Sequence, residues 1–374
     1  MSHQHWMQQA LGLAASVINV TAPNPRVGCV IVRDGQLLAG GATQRAGGPH
    51  AEVMALRQAA ERGVDVRGST VYVTLEPCSH HGRTPPCVDA LVAAAPACVV
   101  VAMPDPNPLV GGCGLARLRE AGIQVVLGVC REQALEMNPG FVSRMVRKRP
   151  WVWLKVAASL DGRIALPDGE SKWITSPQAR VDGQHWRARS CVVLTGSGTV
   201  LADDPLLNVR DVDTPRQPVR AVVDTRFDMP ENARLFDGGP VWLFSCRADA
   251  QKAARLAAHN VQVVGTPCDN GRVSLPDVFS WMHEQQVNEV HVEAGARLGG
   301  ALMQAGLVDE LLVYMAPVVL GEGVGMLRLP PLPSLADAPR FEFFDQAAVG
   351  PDVRLRARNP ASWQQLRQAV AATF

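Results

Sequence analysis

Apolar residues recur with two different periods along this chain, and the alternation between them predicts an α/β protein. Continuous β-branched and apolar runs mark buried strands at Gly28–Val32, Thr70–Leu75, Cys98–Ala102 and Gln124–Leu127. Helical spacing lies between them. Ala51 to Gly63 carries Val53, Leu56, Ala59 and Ala60 at helical intervals and stops at Gly63, while Cys87 opens a second helix from Val88 to Ala95. The apolar stretch from Ala10 to Val20 lacks a basic flank, so it reads as an amphipathic first helix and not as a signal peptide. Asp34-Gly35 reads as a hairpin turn. Strands separated by helices indicate a central sheet covered on both faces.

A second series begins at Trp151–Ala158 and continues with Cys191–Leu194, Val219–Asp224 and Val290–Glu293. Each of these strands runs into Gly, Asp or Glu where a loop or helix begins, and ligands of open α/β sheets settle beyond such strand ends. The expected organisation is a first domain over 1–148, a second over 149–360 and a helical tail over 361–374. The basic run Arg144–Arg149 reads as a solvated connection, and Pro330–Pro333 as a surface loop.

Composition changes the picture mainly by exclusion. With 374 residues, 47% hydrophobic, 19% charged and net charge +1, the chain can build two cores but has no basic footprint for nucleic acid. Two tyrosines leave no stacking platform for bases. No apolar stretch approaches the roughly 20 residues of a membrane span. Nine cysteines, odd in number and irregular in spacing, argue against a disulfide framework and for a reducing, cytoplasmic setting. Cys29, Cys98, Cys130 and Cys191 read as core thiols in strand-like runs.

The chemistry concentrates at His50-Ala51-Glu52, Glu76-Pro77-Cys78 and Cys87. One imidazole and two thiolates can hold Zn2+ and leave the fourth tetrahedral position to water. Glu52, two residues from His50, would then shuttle protons between that water and a substrate. Nucleobase deaminases combine a His-x-Glu element with a later Pro-Cys element in this way. The other readings are a structural zinc clip or a buried histidine with two core cysteines. A closed clip wants a fourth ligand at short spacing, and none is evident. The usual Cys-x-x-Cys spacing is replaced here by an eight-residue polar insert, Ser79-His80-His81-Gly82-Arg83-Thr84-Pro85-Pro86, which is expected to cross the mouth of the site.

That insert, with Pro23-Asn24-Pro25-Arg26-Val27-Gly28 and Asp105-Pro106-Asn107-Pro108, resembles the bifunctional deaminase-reductase family of riboflavin biosynthesis. The likeness continues through Ala157–Arg163, Gly169–Thr175, Gly198–Pro205 and Val292–Gly295, and covers about residues 5 to 355. It implies a cytidine-deaminase-like three-layer domain followed by a dihydrofolate-reductase-like α/β domain. It also implies a phosphorylated pyrimidine substrate met by Asn24, His80 and Arg83 in the first domain. His81 has no matched role and reads as a solvated loop histidine.

In the second domain the resemblance implies NADPH, with Ala157, Trp173, Thr199, Asp203 and Thr225 as contacts. Gly295, Ala296, Arg297, Leu298, Gly299, Gly300 and Ala301 would present backbone amides to its phosphates at a helix start. Ser171, Arg187, Leu207, Arg210 and Glu293 would line the substrate, with Arg187 and Arg210 suited to a sugar phosphate. The residues alone imply less. Gly196-Ser197-Gly198 has Leu201 where a dinucleotide fingerprint needs its third glycine, and Trp173 could equally be a core residue. The expected activity is deamination followed by reduction of a ribosyl group. A nucleic-acid base deaminase with an RNA-binding second domain, and a non-catalytic zinc and ligand sensor, are the competing readings. A homo-oligomer is left open.

Overall fold

The computed structural model describes residues 1–80, 85–107 and 110–371 of the chain. They form two compact units, Met1–Lys148 with Gln364–Phe374, and Arg149–Trp363.

The first unit contains α1 (His3–Ser16), β1 (Gly28–Arg33), β2 (Gln36–Ala42), α2 (Ala51–Glu61), β3 (Thr70–Val73) and α3 (Cys87–Ala94). β4 (Cys98–Val101), α4 (Cys113–Glu120), β5 (Gln124–Leu127), α5 (Arg131–Met137) and α6 (Pro139–Arg147) follow. The five strands run in the order β2-β1-β3-β4-β5. β1 is antiparallel to both neighbours, and β3, β4 and β5 are parallel. The turn joining β1 to β2 uses Asp34 and Gly35, both at positive φ.

Helices lie on both faces of this sheet, for a reason visible in β1 and β2. Successive strand residues point to opposite faces. Gly28 stands against the Ala10 carbonyl of α1, whereas Gly41, paired with Cys29 and so on the other face, stands against the backbone of α2. A Cβ on Gly41 would lie 2.5 Å from the Ala55 nitrogen and 2.6 Å from the Ala51 oxygen. Glycine at 41 therefore lets α2 rest directly on the sheet.

The second unit opens with β6 (Trp151–Ser159), β7 (Arg163–Ala165), α7 (Pro177–Arg189), β8 (Val192–Gly196), α8 (Ser197–Asp203) and β9 (Val219–Val223). β10 (Val241–Ser245), α9 (Ala250–Ala257), β11 (Val261–Gly265), β12 (Cys268–Asp269), β13 (Arg272–Val273) and α10 (Leu275–Glu284) come next. β14 (Glu289–Glu293), α11 (Ala296–Gln304), β15 (Glu310–Ala316), β16 (Val324–Gly325), β17 (Glu342–Val349), β18 (Asp352–Arg358) and α12 (Pro360–Ala371) complete the chain. Its main sheet has nine strands, ordered β11-β10-β9-β8-β14-β6-β15-β18-β17, parallel except at β18 and β17. Alternate residues of β8 enter different cores. Val192 and Leu194 pack with α10 and α11, and Val193 packs with Val200, Leu243 and Leu256 on the opposite face. β14 enters the sheet between β8 and β6 after the chain has run outward to β11, which creates a switch point at the strand ends.

Several expectations need correction. Only part of Ala10–Val20 is helical, since α1 runs from His3 to Ser16 and the chain then turns. The strand expected from Thr70 to Leu75 ends at Val73, and Cys191 precedes its strand. Arg144 and Arg147 belong to α6, where Phe141 and Val142 are buried, and Arg149 pairs with Asp309 at 2.8 Å. The basic run is thus not a solvated connection. Cys130 caps α5 and is no strand thiol. Two cysteines given no role from the sequence form a single disulfide. Cys246 and Cys268 are bridged with an S–S distance of 2.11 Å, because parallel β10 and β11 bring their following segments together. Among the described residues, no helix is long and apolar enough to cross a membrane.

Candidate functional site

Two helix starts and one strand end build the first site. His50 caps α2 with its backbone only, so its imidazole is free to leave the helix. Cys87 is the first residue of α3, and its open backbone N–H donates to Cys78 Sγ at 3.3 Å. His50 Nδ1 lies 3.2 Å from Cys87 Sγ and 3.5 Å from Cys78 Sγ. All three ligating atoms fall within 4.8 Å of one another, the one such group of His, Cys, Asp and Glu among the described residues. Tetrahedral zinc with Zn–N near 2.0 Å and Zn–S near 2.3 Å needs N···S separations of about 3.5 Å. The donor set fits.

Electrostatics sharpen the arrangement. The Cys78 thiol is pushed down to about 4 by its hydrogen bond with Cys87, while the same contact raises the Cys87 thiol. One sulfur of the pair is therefore a ready thiolate, between two helix N-termini that favour negative charge. The hydrogen bond with Cys78 raises His50. Glu52, in the first turn of α2, is 4% exposed, and burial pushes its carboxyl up to about 7. A carboxyl near neutrality can both accept and return a proton.

Of the remaining first-unit candidates, Asn24 is half-buried and its carbonyl accepts from the Thr21 hydroxyl, and His80 is exposed. Arg83 and His81 lie outside the described residues.

The second site collects at the carboxyl ends of β6, β8 and β14. Arg187 of α7 grips Glu293 at the end of β14 with Nε and Nη2, and gives Nη1 to the Asn208 carbonyl at 2.8 Å. Burial works against the Glu293 carboxylate, but Arg187, His291 and Lys155 hold it well below its usual range. Burial lowers Lys155 and His291, the latter wholly enclosed beside Glu293. Arg187 and Glu293, both expected to line the substrate, thus lie together as a bound pair, and a guanidinium has the capacity to clasp a sugar phosphate. Arg210, its side chain 48% exposed, shares that capacity.

Leu207 is enclosed in a core cluster, so its backbone is what it can offer a ligand. Trp173 is 65% exposed under the Arg180 guanidinium, which rules out the core reading. Ser171 and Ala157 are half-buried, Thr199 and Asp203 lie on α8, and Asp203 pairs with Lys172 at 2.8 Å. The Thr225 hydroxyl accepts from the Val273 N–H at 3.4 Å. At α11 the amides of Gly295, Ala296, Arg297 and Leu298 are those left without helical partners. Gly299 N donates to Gly295 O, and Gly300 and Ala301 lie a turn inside. Of the residues expected to meet phosphates over 295–301, the first four are the ones whose amides are open at the helix start.

The most informative position that sequence reasoning missed is Glu76, noted only as part of its tripeptide. Its buried carboxylate accepts four backbone N–H groups.

Comparison with known proteins agrees with both units. Residues 150–355 match the RibD C-terminal domain, and residues 1–103 match the cytidine and deoxycytidylate deaminase zinc-binding region. The chain is 49% identical over 369 residues to the riboflavin biosynthesis protein RibD of Escherichia coli K12, covering 95% of this chain and 99% of that one. The chain belongs to the RibD family. The RibD of Bacillus amyloliquefaciens is 40% identical, with 95% of both chains covered. Among solved structures, Acinetobacter baumannii RibD superposes with a TM-score of 0.87 at 44% identity, covering 95% of this chain and 98% of that one. A diaminohydroxyphosphoribosylaminopyrimidine deaminase/5-amino-6-(5-phosphoribosylamino)uracil reductase of Thermotoga maritima gives 0.87 at 32% identity, covering 96% and 98%. The N-terminal domain is thus cytidine-deaminase-like and the C-terminal domain is the RibD reductase domain. The readings as an RNA-binding base deaminase or a zinc sensor are not favoured.

Proposed function

We propose that the first unit hydrolytically deaminates a phosphorylated 2,5-diamino-6-ribosylaminopyrimidinone, and that the second reduces the ribosyl group of its product to ribityl with NADPH. The chain is a bifunctional deaminase and reductase of riboflavin biosynthesis. The observation that carries the first step is the convergence of His50, Cys78 and Cys87 beside buried Glu52.

His50, Cys78 and Cys87 would hold zinc, which when bound supplies Lewis acidity able to bring the pKa of water to about 7. Glu52 takes a proton from the attacking water and delivers it to the departing ammonia. Its elevated pKa suits both transfers. The net change replaces a ring C–NH2 by C=O and releases NH3.

In the second unit the free amides of Gly295–Leu298 would receive NADPH phosphates at the positive end of α11. NADPH supplies the hydride, and the protein supplies orientation. Ala157, Trp173, Thr199, Asp203 and Thr225 are assigned to the cofactor, and Ser171, Arg187, Leu207, Arg210 and Glu293 to the substrate. Asn24, His80 and Arg83 are assigned to the pyrimidine of the first step.

The deciding experiment uses purified full-length protein. Zinc should be present at one ion per chain, and chelation should stop ammonia release while leaving NADPH oxidation on the deaminated intermediate intact. Ammonia release that persists after complete metal removal would overturn the deaminase assignment.

A further inference from the structure

The two cysteines of the first site stand nine residues apart, so no single turn of chain carries both sulfurs. α4 supplies a connection between them. Its N-cap, Gly112, has no side chain with which to cap the helix. Glu76 performs that task from two residues before Cys78. Glu76 Oε2 accepts from the N–H of Asp105 and of Gly112, each at 3.1 Å, and Oε1 from Gly114 at 2.9 Å and Leu115 at 3.3 Å. A buried carboxylate thus satisfies the open amides of a helix start and places its charge at the helix's positive end.

One turn on, Arg117 reaches the other side of Cys78. Its Nη1 donates to the Ser79 carbonyl at 3.2 Å, and its Nη2 pairs with Asp89 of α3. Asp89 lies two residues beyond Cys87. The same short helix is therefore tied to the residues flanking Cys78 and to the helix that Cys87 opens.

We propose that α4 is the clamp that fixes the separation of the Cys78 and Cys87 sulfurs, with Glu76 and Arg117 as its positioning residues. The inference rests on the reading of His50, Cys78 and Cys87 as zinc ligands. Neither Glu76 nor Arg117 touches the metal position; each acts through the segment it holds. The clamp takes the place of the local rigidity that a Cys-x-x-Cys turn would provide.

The test follows zinc transfer from the full-length, zinc-loaded protein to a chromophoric chelator, with NADPH oxidation on the deaminated intermediate as an internal control. Glu76→Gln turns one acceptor into a donor facing backbone N–H groups and should release zinc about 10- to 100-fold faster, the range for groups that orient metal ligands. Arg117→Ala removes an exposed pair and should speed release about 2- to 5-fold. Its melting temperature should stay unchanged, which a purely structural role does not explain. Arg117→Lys, which reaches one partner but cannot bridge two, should fall between Arg117→Ala and the parent. Saturating zinc should restore the deaminase kcat of Arg117→Ala.

Parent-like zinc release in both Arg117→Ala and Glu76→Gln would overturn the clamp. If Glu76→Gln fails to fold, Arg117→Ala alone decides. Parent protein that takes up no zinc would sink the metal reading itself, and the clamp with it.

Discussion

Arg187 and Glu293 meet as a two-point ion pair beneath α7, with Nη2 2.9 Å from Oε2 and Nε on Oε1. Both groups are largely removed from water, so the pair stabilises only while both charges are present. Glu293 has its pKa depressed in the folded state, from the usual value of about 4.3. Its contribution is therefore complete above about pH 4.3 and is lost as pH falls through the folded value. Glu293→Gln leaves Arg187 uncompensated and should cost the second unit about 3–5 kcal/mol at neutral pH. Urea unfolding from neutral pH into acid tests this. The parent should lose stability in acid and the variant should be flatter there. Parallel curves would refute the linkage.

Glu52→Gln separates metal binding from proton transfer. The amide is close to isosteric but cannot accept and return a proton. Deaminase kcat should fall at least about 100-fold. Zinc content and NADPH oxidation on the deaminated intermediate should match the parent. A variant that still releases ammonia at the parent rate would assign the proton shuttle to another group.

Arg210 is the more exposed of the two arginines assigned to the sugar phosphate, its side chain 48% exposed against 10% for Arg187. Its side chain is open to solvent, apart from a 3.8 Å approach to Asp211. Arg210→Ala should raise the KM of the reductase for its phosphorylated substrate about 10- to 100-fold, from the loss of hydrogen bonds to a charged group. A dephosphorylated analogue should show little difference between parent and variant. Equal losses on both compounds would place the phosphate elsewhere.

The metal triad was legible because its chemistry depends on rare residue types in a short pattern, and the structure brings His50, Cys78 and Cys87 together. The strands near it were legible too, since buried parallel strands are nearly continuous apolar runs. β17 and β18 were not. Arg354 and Arg356 make β18 look like a polar segment, yet they are held by Asp182, Asp345 and Glu310 from other elements. Glu76 was illegible for a related reason: its amide partners lie 29 to 39 residues away. The cofactor cradle proposed at α11 would consist of backbone groups, which no side-chain pattern announces, and only the family resemblance pointed to it. The Cys246–Cys268 bridge depends on the meeting of segments 22 residues apart.

Gly41 offers a test of how the sheet positions the deaminase chemistry. It faces α2, the helix that begins immediately after His50 and carries Glu52 in its first turn. The atoms a methyl group would meet are backbone, at Ala51 and Ala55, and cannot rotate away as a side-chain tip could. Gly41→Ala must therefore lift α2 or bend β2, at about 1–3 kcal/mol for an overpacked contact. A shift near 1 Å in a catalytic group can reduce rate about 100-fold. Deaminase kcat should fall further than the stability loss alone predicts, while the reductase rate of the same molecules stays at the parent value. Thermal melting and the two rates, measured on one preparation, check the claim. Parent-like deamination in a folded Gly41→Ala protein would mean that β2 does not set the position of Glu52.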